Sequence, residues 1–213
     1  MFPIIRPAAP QDEPFAFTML SAAGHGMVAK YLGGGSETRA RRVFRVLWSG
    51  QPNQFHWQNC CIAQEAGQPL GLLCSYPTHS GPQSGLNLPQ LIRAGGWGLI
   101  GYYLRHPLLL REALTLPEGH RGEFYIASVA TSAEARGRGI GTTLIQHAMA
   151  TARNLGIQVV SLVVARDNPR ARDLYTRLGF IEDPCPQHRH PLVTKMIAPL
   201  APPAGEGVPS DRT

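Results

Sequence analysis

The stretch Arg136–Gly141 reads Arg-Gly-Arg-Gly-Ile-Gly, and it decides how the rest of the sequence is interpreted. It follows an apolar run, 124–130, and precedes a segment with apolar residues at helical spacing, 139–155. This order predicts a strand, a glycine-rich turn and a helix. Glycine has no Cβ, so the backbone at three alternate positions can approach a ligand closely. Successive N–H groups in such a turn, together with those of a helix start, favour an anion, and a diphosphate above all. The alternative is a plain turn with solvated arginines.

The charge distribution supports an anionic ligand near this turn. Lys30 and Lys195 are the only lysines, so the net charge of +6 is carried almost entirely by arginine. The segment 121–177 holds eight arginines against four acids. Arginine pairs bidentately with phosphate. No aromatic residues alternate with these arginines, as a surface that stacks on nucleic-acid bases would require. We therefore expect a compact polyphosphate ligand and no nucleic acid.

Composition and length favour one globular domain. The 213 residues are 43% hydrophobic, with 23 Gly and 19 Pro that predict long loops. No apolar run reaches eighteen residues, and the first residues lack the pattern of a signal peptide, so we expect a cytoplasmic protein with no membrane partner. Cys60, Cys61, Cys74 and Cys185 show neither a disulfide framework nor a zinc spacing. We expect reduced, buried thiols and no metal.

Periodicity in the first half predicts a strand, two helices, a hairpin and a helical insertion. The insertion, 77–122, is too long for a simple loop, and its second helix should break at His106-Pro107. The predicted strands are 4–7, 59–64 and 70–76, and the predicted helices are 15–30, 37–48, 86–94 and 99–116.

The second half predicts a regular alternation of strands and helices. Asp167-Asn168-Pro169 is a strong helix start, because it places a capping side chain before a proline at the first helical position. Gly179 is suited to the end of that helix. The predicted strands are 123–130, 157–165, 180–183 and 192–197. We expect a single domain over 1–200, followed by a disordered tail over 201–213.

Two blocks of this half resemble the GNAT superfamily of acyl-CoA-dependent N-acyltransferases. The family's turn pattern, Gln/Arg-x-x-Gly-x-Gly/Ala, is satisfied by Arg136–Gly141. Its next block, Asn-x-x-Ala-x-x-x-Tyr-x-x-x-Gly-Phe, is matched by Asn168, Ala171, Tyr175, Gly179 and Phe180. The resemblance is clear over 124–197 and weaker over 4–76. It implies an α/β fold of the α+β type: a central, twisted, mostly antiparallel sheet with one parallel, splayed pair, flanked by helices. The helical insertion then precedes the coenzyme-binding strand.

The resemblance implies acetyl-CoA as co-substrate and no metal. Turn amides should hold the coenzyme A diphosphate beside two arginines, and the pantetheine arm should pair with the end of the preceding strand. Asn168 has two compatible roles, as helix cap and as coenzyme contact. The residues expected at the coenzyme are Val129, Ala130, Thr131, Arg136, Gly137, Arg138, Gly139, Ile140, Gly141, Thr142, Asn168 and Ala171.

The implied reaction is direct attack of a primary amine on the acyl thioester, in a ternary complex. Tyr175 occupies the family's tyrosine position, and we expect it to protonate the departing thiolate; otherwise its ring only packs. Tyr125 falls where some relatives place a glutamate. Glu123, two residues earlier, is the candidate base, directly or through water; otherwise it is a solvated charge at a strand start. If side chains alternate strictly along the strand, Ser128 points to the face opposite that of Glu123 and Tyr125.

Other ligand-binding classes fit less well. A dinucleotide-binding turn would need Gly or Ala where Thr142 stands, and an acid within 156–164, which has none. A P-loop is excluded because no Gly-Lys-Ser/Thr occurs. A non-catalytic acyl-CoA-binding sensor or interaction module stays open, because fold alone does not fix function. The acceptor also stays open between a small amine, an amino acid and a protein N-terminus or lysine, as does a monomer or homodimer.

Overall fold

The computed structural model describes residues 3–23, 27–50, 53–78, 88–115, 119–185 and 190–200. Over these ranges seven strands form one sheet in the order β1-β2-β3-β4-β5-β7-β6. The strands are β1 Ile4–Pro7, β2 Cys60–Glu65, β3 Gln68–Pro77, β4 Phe124–Thr131, β5 Val159–Ala165, β6 Ile181–Glu182 and β7 Val193–Pro199.

Seven α-helices flank this sheet in the described ranges, and none of them is long and apolar enough to cross a bilayer. Short 3₁₀ turns occur at Pro10–Asp12, Trp57–Asn59 and Ala133–Ala135. The α-helices are α1 Glu13–Ala23, α2 Met27–Gly33, α3 Glu37–Ser49, α4 Leu88–Arg105, α5 Pro107–Thr115, α6 Ile140–Asn154 and α7 Pro169–Arg177.

One pair of neighbouring strands, β4 and β5, is parallel, and the other pairs are antiparallel. The parallel ladder joins only Phe124–Ile126 to Val160–Leu162. Both strands continue beyond it, to Thr131 and Ala165, without pairing to each other. The expected fold class, a mixed sheet with one parallel, splayed pair, is therefore confirmed.

Two hydrophobic cores lie on opposite faces of the sheet, because alternate strand residues point to opposite sides. The first core is built on α1–α5 and includes Trp48, which is fully buried and donates its indole N–H to the Pro10 carbonyl at 3.1 Å. The second core is built on α6 and includes Leu144 and Phe180. Strand β3 serves both, since Leu72 belongs to the first core and Leu73 to the second.

A bulge in β4 corrects the expected orientation of Ser128. Cys74 pairs with Ser128 and Ser75 with Ile126, which leaves Ala127 as the extra residue of β4. Tyr125 lies opposite Tyr76, which is on the same face of β3 as Cys74. Ser128 and Tyr125 therefore share a face, although strict alternation would separate them.

The predicted helices differ from the structure mainly in how they are divided. The helix predicted over 15–30 is two helices, α1 and α2, and residues 24–26 between them lie outside the described ranges. In the insertion, the break at His106-Pro107 is confirmed, but α4 extends from Leu88 through the non-helical Gly96 (φ 63°) to Arg105. The predicted tail, 201–213, lies outside the described residues.

We predict that Leu144→Ala lowers the free energy of unfolding by about 2–5 kcal/mol, because it opens a cavity in the second core. Leu144 has no exposed surface and its Cδ1 lies 3.0 Å from where a Cβ on Gly71 would stand, so this site is tightly packed. The matched control is Leu155→Ala. Leu155 follows α6 and is 56% exposed, so its loss should stay within about 0.5 kcal/mol. Equal losses in urea unfolding would contradict the assignment of the second core.

Candidate active site

The glycine turn has the backbone geometry that its sequence predicts. After the 3₁₀ turn Ala133–Ala135, the chain turns through 136–139 and begins α6 at Ile140. Gly137 and Gly139 have φ of 76° and 77°, in the left-handed region where side chains are strained. No atom lies within 4 Å of a Cβ placed at either position, so the surface of the turn is open to a ligand.

Several N–H groups of this turn are unpaired. The first amide of α6 with a backbone acceptor is Thr143, which donates to the Gly139 carbonyl at 3.0 Å. A helix start leaves such donors free and carries the positive end of the helix dipole. The arrangement can therefore bind a multiply charged anion. The amides without an acceptor in the described part of the chain are those of Gly137, Gly139, Ile140, Gly141 and Thr142.

The two arginines of the turn are not equivalent. Arg138 forms an ion pair with Glu65, at the end of β2, through its Nη2. Arg136 is exposed and forms no salt bridge with a described residue. Arg136 is therefore the guanidinium available to a bound anion, whereas Arg138 must leave Glu65 or share it.

The edge of β4 that faces β5 is open next to this turn. Residues 127–131 have no partner on β5, while their other edge pairs with β3, where Val129 lies opposite Leu73. A Cβ on Gly141 would lie 3.8 Å from Thr131 Cγ2 and 4.0 Å from Leu174 Cδ2. The turn, the end of β4 and α7 thus meet at one place. An extended ligand could pair with the free edge of β4 there.

Helix α7 places Tyr175 at the same location. The Asn168 side chain accepts a hydrogen bond from the Ala171 N–H at 3.1 Å, which confirms the predicted cap. The chain leaves the helix at Gly179, whose φ is 90°. The Tyr175 ring packs against Phe180, with 5.9 Å between ring centroids.

The hydroxyl of Tyr175 is suited to donating a proton. Burial raises the pKa of Tyr175 above its ordinary value, so the phenol stays protonated at neutral pH. The hydroxyl has no hydrogen-bond partner among the described residues. Tyr175 therefore presents an unpaired, protonated hydroxyl next to the second core, on the helix that meets the glycine turn.

Glu123 is held in a polar network. Its Oε1 lies 2.9 Å from Lys195 Nζ, while its Oε2 accepts hydrogen bonds from Ser161 Oγ at 2.6 Å and from the His120 N–H at 2.8 Å. Lys195, whose side chain is only 1% exposed, also lies 3.6 Å from an oxygen of Asp183. Both carboxylate oxygens of Glu123 thus bind the protein itself, and they tie the start of β4 to β5 and β7.

Glu123 and Tyr125 lie at the end of β4 that pairs with β5. Six residues of extended strand, about 20 Å at 3.3 Å per residue, separate Glu123 from Val129. Tyr125 is buried, with its ring 5.8 Å from that of Tyr76 in a T-shaped contact. The structure brings together the predicted coenzyme residues and Tyr175, and it places these two candidates at the opposite end of the strand.

The residues predicted for the site did not include Lys195, Ser161 or Asp183. A usable signal was present, because a lysine flanked by Thr194 and Met196 inside a buried strand needs a counter-charge. Which acid supplies it could not be read from the sequence, since Glu123 is 72 residues away.

The cysteines form no disulfide and, among the described residues, belong to no cluster of metal ligands. The four cysteines are free, and Cys60 and Cys74 are buried opposite each other on β2 and β3. Burial raises the pKa of the Cys60 thiol well above its usual value, so a nucleophilic thiolate is disfavoured. No three His, Cys, Asp or Glu side chains in the described ranges are grouped to hold a metal ion. Residues 186–189, between Cys185 and His190, lie outside those ranges.

Comparison with known proteins assigns the family. A family model described as "Acetyltransferase (GNAT) family" matches residues 35–180. The chain belongs to the GNAT acetyltransferase family. The match includes the glycine turn, the open edge of β4 and α7, so the residues that form the site lie inside the family's shared region.

Individual relatives of this GNAT protein are distant. It is 38% identical over 73 residues to a mycothiol acetyltransferase of Beutenbergia cavernae, which covers 34% of this chain and 24% of that protein. It is 42% identical over 64 residues to N-alpha-acetyltransferase 30 of Schizosaccharomyces pombe. This match covers 29% of this chain and 43% of that protein. The crystal structure of an N-acetyltransferase from Staphylococcus aureus Mu50 superposes with a TM-score of 0.63 at 22% identity. The superposition covers 92% of this chain and 100% of the S. aureus chain. The chain thus spans 24% of the mycothiol acetyltransferase and shares the fold of the S. aureus protein.

We predict that Lys195→Met costs about 3–5 kcal/mol of folding stability, because it removes the cation that the largely buried Glu123 carboxylate binds and that also lies beside Asp183. Adding Glu123→Gln should recover part of this loss. Lys30→Met is the matched control, since the Lys30 side chain is exposed, and contacts of exposed cations, such as its cation–π approach to the Tyr31 ring at 5.1 Å, are worth about 1 kcal/mol or less. Chemical denaturation checks all three, and equal losses for the two lysines would refute a structural role for Lys195.

Proposed function

We propose that this chain is an N-acetyltransferase that transfers an acetyl group from acetyl-CoA to a primary amine. The observation that carries the proposal is the set of five unpaired amides at the glycine turn, next to an open strand edge and a free tyrosine hydroxyl. A diphosphate, an amide-bearing arm and a thiolate leaving group are the three parts of an acyl-CoA that these features suit.

The binding roles follow the positions of the residues. The amides of Gly137, Gly139, Ile140, Gly141 and Thr142 would hold the diphosphate, with Arg136 beside it and Arg138 reaching it from its pair with Glu65. Val129, Ala130 and Thr131 would present their open main-chain edge to the pantetheine arm. Asn168 and Ala171 are linked by the hydrogen bond that caps α7. They would therefore support coenzyme binding by orienting α7 as well as by direct contact.

The reaction needs one bond formed, one bond broken and three proton movements, because the acceptor ammonium loses one proton before attack and a second as the amide forms, and the leaving sulfur gains one. The amine nitrogen attacks the thioester carbonyl carbon, and the carbon–sulfur bond breaks with its electron pair on sulfur. Tyr175 donates its hydroxyl proton to that sulfur and regains a proton afterwards. The ammonium proton of the acceptor must leave before attack, because a protonated amine has no free electron pair.

The group that accepts the amine proton is inferred from the contacts of Glu123 and Tyr125. Glu123 is the sequence candidate, yet its oxygens bind Lys195, Ser161 and the His120 amide, which favours an anchoring role. Tyr125 is packed against Tyr76. We infer that water carries this proton and that Glu123 acts through its network rather than by direct contact with the amine.

A second candidate function is a non-catalytic acyl-CoA-binding module. The engagement of both Glu123 oxygens favours it, because this candidate carboxylate is then not left for direct proton removal. The names of the two relatives compared by sequence above specify acetyltransferases, which favours catalysis. Their acceptors are of different kinds, so a small-molecule amine and a protein amine are both retained, as are a monomer and a homodimer.

The test of function begins with the coenzyme. Mass spectrometry of the purified protein and titration calorimetry should detect coenzyme A or acetyl-CoA. Thiol release from acetyl-CoA is then measured with a panel of amino acids, polyamines, amino sugars and peptides. Binding with amine-dependent thiol release supports the enzyme, binding without it supports the module, and no binding would falsify both.

We predict that Tyr175→Phe lowers kcat by about 10²–10⁴-fold, because it removes the proton donor to the leaving sulfur. Coenzyme affinity should be unchanged, since the ring and its packing on Phe180 are kept. Tyr102→Phe is the matched control, because Tyr102 lies on α4, on the opposite face of the sheet. Thiol release under saturating acetyl-CoA measures both variants.

The pH profile separates proton donation from packing by Tyr175. A raised pKa keeps the donor form present below that pKa and loses it as pH rises through it. The alkaline limb of kcat in the parent protein should therefore lie above pH 10, the ordinary value for tyrosine, and should be absent from Tyr175→Phe. An unchanged rate and an unchanged profile in that variant would remove Tyr175 from the mechanism.

A further inference from the structure

Two buried thiols of the first core lie directly opposite each other on neighbouring strands. Cys60 on β2 pairs in register with Cys74 on β3, and the two residues are 2% and 1% exposed. Both belong to the first core, whereas the adjacent Cys61 packs against the second. The Sγ atoms of Cys60 and Cys74 are 2.9 Å apart. The proposed acetyl transfer uses neither of them.

The backbone pairing also suits a covalent link between these two residues. The Cys60 carbonyl accepts a hydrogen bond from the Ala8 N–H at 2.9 Å, on the side of β1. In an antiparallel ladder the N–H and C=O of one residue point to the same neighbouring strand, so Cys60 and Cys74 form a non-hydrogen-bonded pair. Cα atoms in such a pair are about 4.5 Å apart, and disulfides span Cα separations of about 4.4–6.8 Å. The two strands can therefore accept the bond where they stand.

We propose that Cys60 and Cys74 form an oxidation site, at which a small peroxide converts the two thiols into a cross-strand disulfide. The oxidant must be small, because the core closes over both side chains. Hydrogen peroxide meets this condition, and a bulky disulfide does not. The structure shows the reduced state, in which all four cysteines are free. The site goes beyond the proposed acetyl transfer and does not depend on it.

Cys74 is the sulfur that attacks first. Burial raises the pKa of the Cys60 thiol well above its usual value, so Cys60 keeps its proton. The Cys60 thiol can donate that proton to the Cys74 sulfur at 2.9 Å, the nearer of its two acceptors; the other is the His56 carbonyl at 3.6 Å. Deprotonated Cys74 attacks one peroxide oxygen and the oxygen–oxygen bond breaks. A sulfenic acid forms on Cys74, and the departing hydroxide takes up the proton that Cys74 released, as water.

The second step joins the two sulfurs. Cys60 Sγ attacks the Cys74 sulfur, the sulfur–oxygen bond breaks, and the departing hydroxide takes the Cys60 thiol proton as a second water. The peroxide has then gained the two electrons that the sulfurs lost. Because the attacking atom is already adjacent, this step is faster than the first. The sulfenic acid should therefore not accumulate or oxidise further.

The bond would strengthen the sheet beside the coenzyme-binding strand. Cys60 and Cys74 are 14 residues apart in sequence, so the bond would close the whole β2–β3 hairpin. On its other side Cys74 pairs with Ser128, immediately after the bulge in β4. A crosslink of this loop length that fits the folded geometry should raise the melting temperature by about 6–12 °C.

The test uses the full chain with Cys61→Ser and Cys185→Ser, so that Cys60 and Cys74 are the only thiols left. Hydrogen peroxide should remove both thiols and lower the intact mass by about 2 Da, the two hydrogens lost. The product should run as a single chain on a non-reducing gel and melt higher than the reduced chain. Dithiothreitol should restore both thiols and the original melting temperature.

The matched control keeps Cys61 and Cys185 and carries Cys60→Ala with Cys74→Ala. Cys61 is on β2 and Cys185 follows β6, five strand positions away in the sheet order, or about 24 Å at 4.8 Å per strand. No internal disulfide can form over this distance, so peroxide should cause no loss of 2 Da. Because two core alanines could impair folding, Cys60→Ala alone in the test chain is a second control. It leaves Cys74 without a partner and should also show no such mass loss.

Three results would overturn the proposal. The first is that both thiols persist in peroxide, or that Cys74 ends as a sulfinic acid. The second is a disulfide that forms between chains instead of within one. The third is an oxidised chain that melts no higher than the reduced chain, because the bond would then not fit the ladder. None of these measurements requires acetyl-CoA, so this test and the test of acetyl transfer fail independently.

Discussion

The parallel contact between β4 and β5 is limited to three residue pairs, and the rest of the site depends on this limit. If the ladder continued, β5 would occupy the edge that 127–131 leave open. The ladder is closed firmly at its other end, where Glu123 and Lys195 join the start of β4 to β5 and β7 through a buried ion pair. A fixed end and an open end of the same strand pair create a wedge-shaped gap. The glycine turn and α7 border it at the wide end.

Local backbone chemistry could be predicted from the sequence, whereas long-range partners could not. The left-handed glycines of the turn and the Asn168 cap were predictable because each depends on a few adjacent residues. The pairing of Arg138 with Glu65, 73 residues away, has no local signal. The same holds for the bulge at Ala127, which arises from the register between β3 and β4. A one-residue bulge reverses the face of every following residue, so alternation alone misplaced Ser128.

Distance along the sequence does not decide which residues lie close to the glycine turn. Tyr175 lies 36 residues beyond Gly139, yet the contact of Leu174 with the Gly141 position brings α7 against the turn. Glu123 lies much nearer to the turn in sequence and is held at the far end of the same strand. The glycine turn, the end of β4 and α7 therefore meet at the helix start, whereas Glu123 belongs to a separate network with Lys195 and Ser161.

The two cores draw on different parts of the chain, and this has an evolutionary consequence. Described members of the first core come almost entirely from residues before 110, and those of the second come mostly from residues after 123. Substitutions on α1–α5 can therefore accumulate without altering the packing beneath the glycine turn, which agrees with the weaker family resemblance of the first half. Strand β3 is the exception, since its successive residues Leu72 and Leu73 enter opposite cores. Divergence of the first half of the chain is thus free to proceed everywhere except in the strand that both cores share.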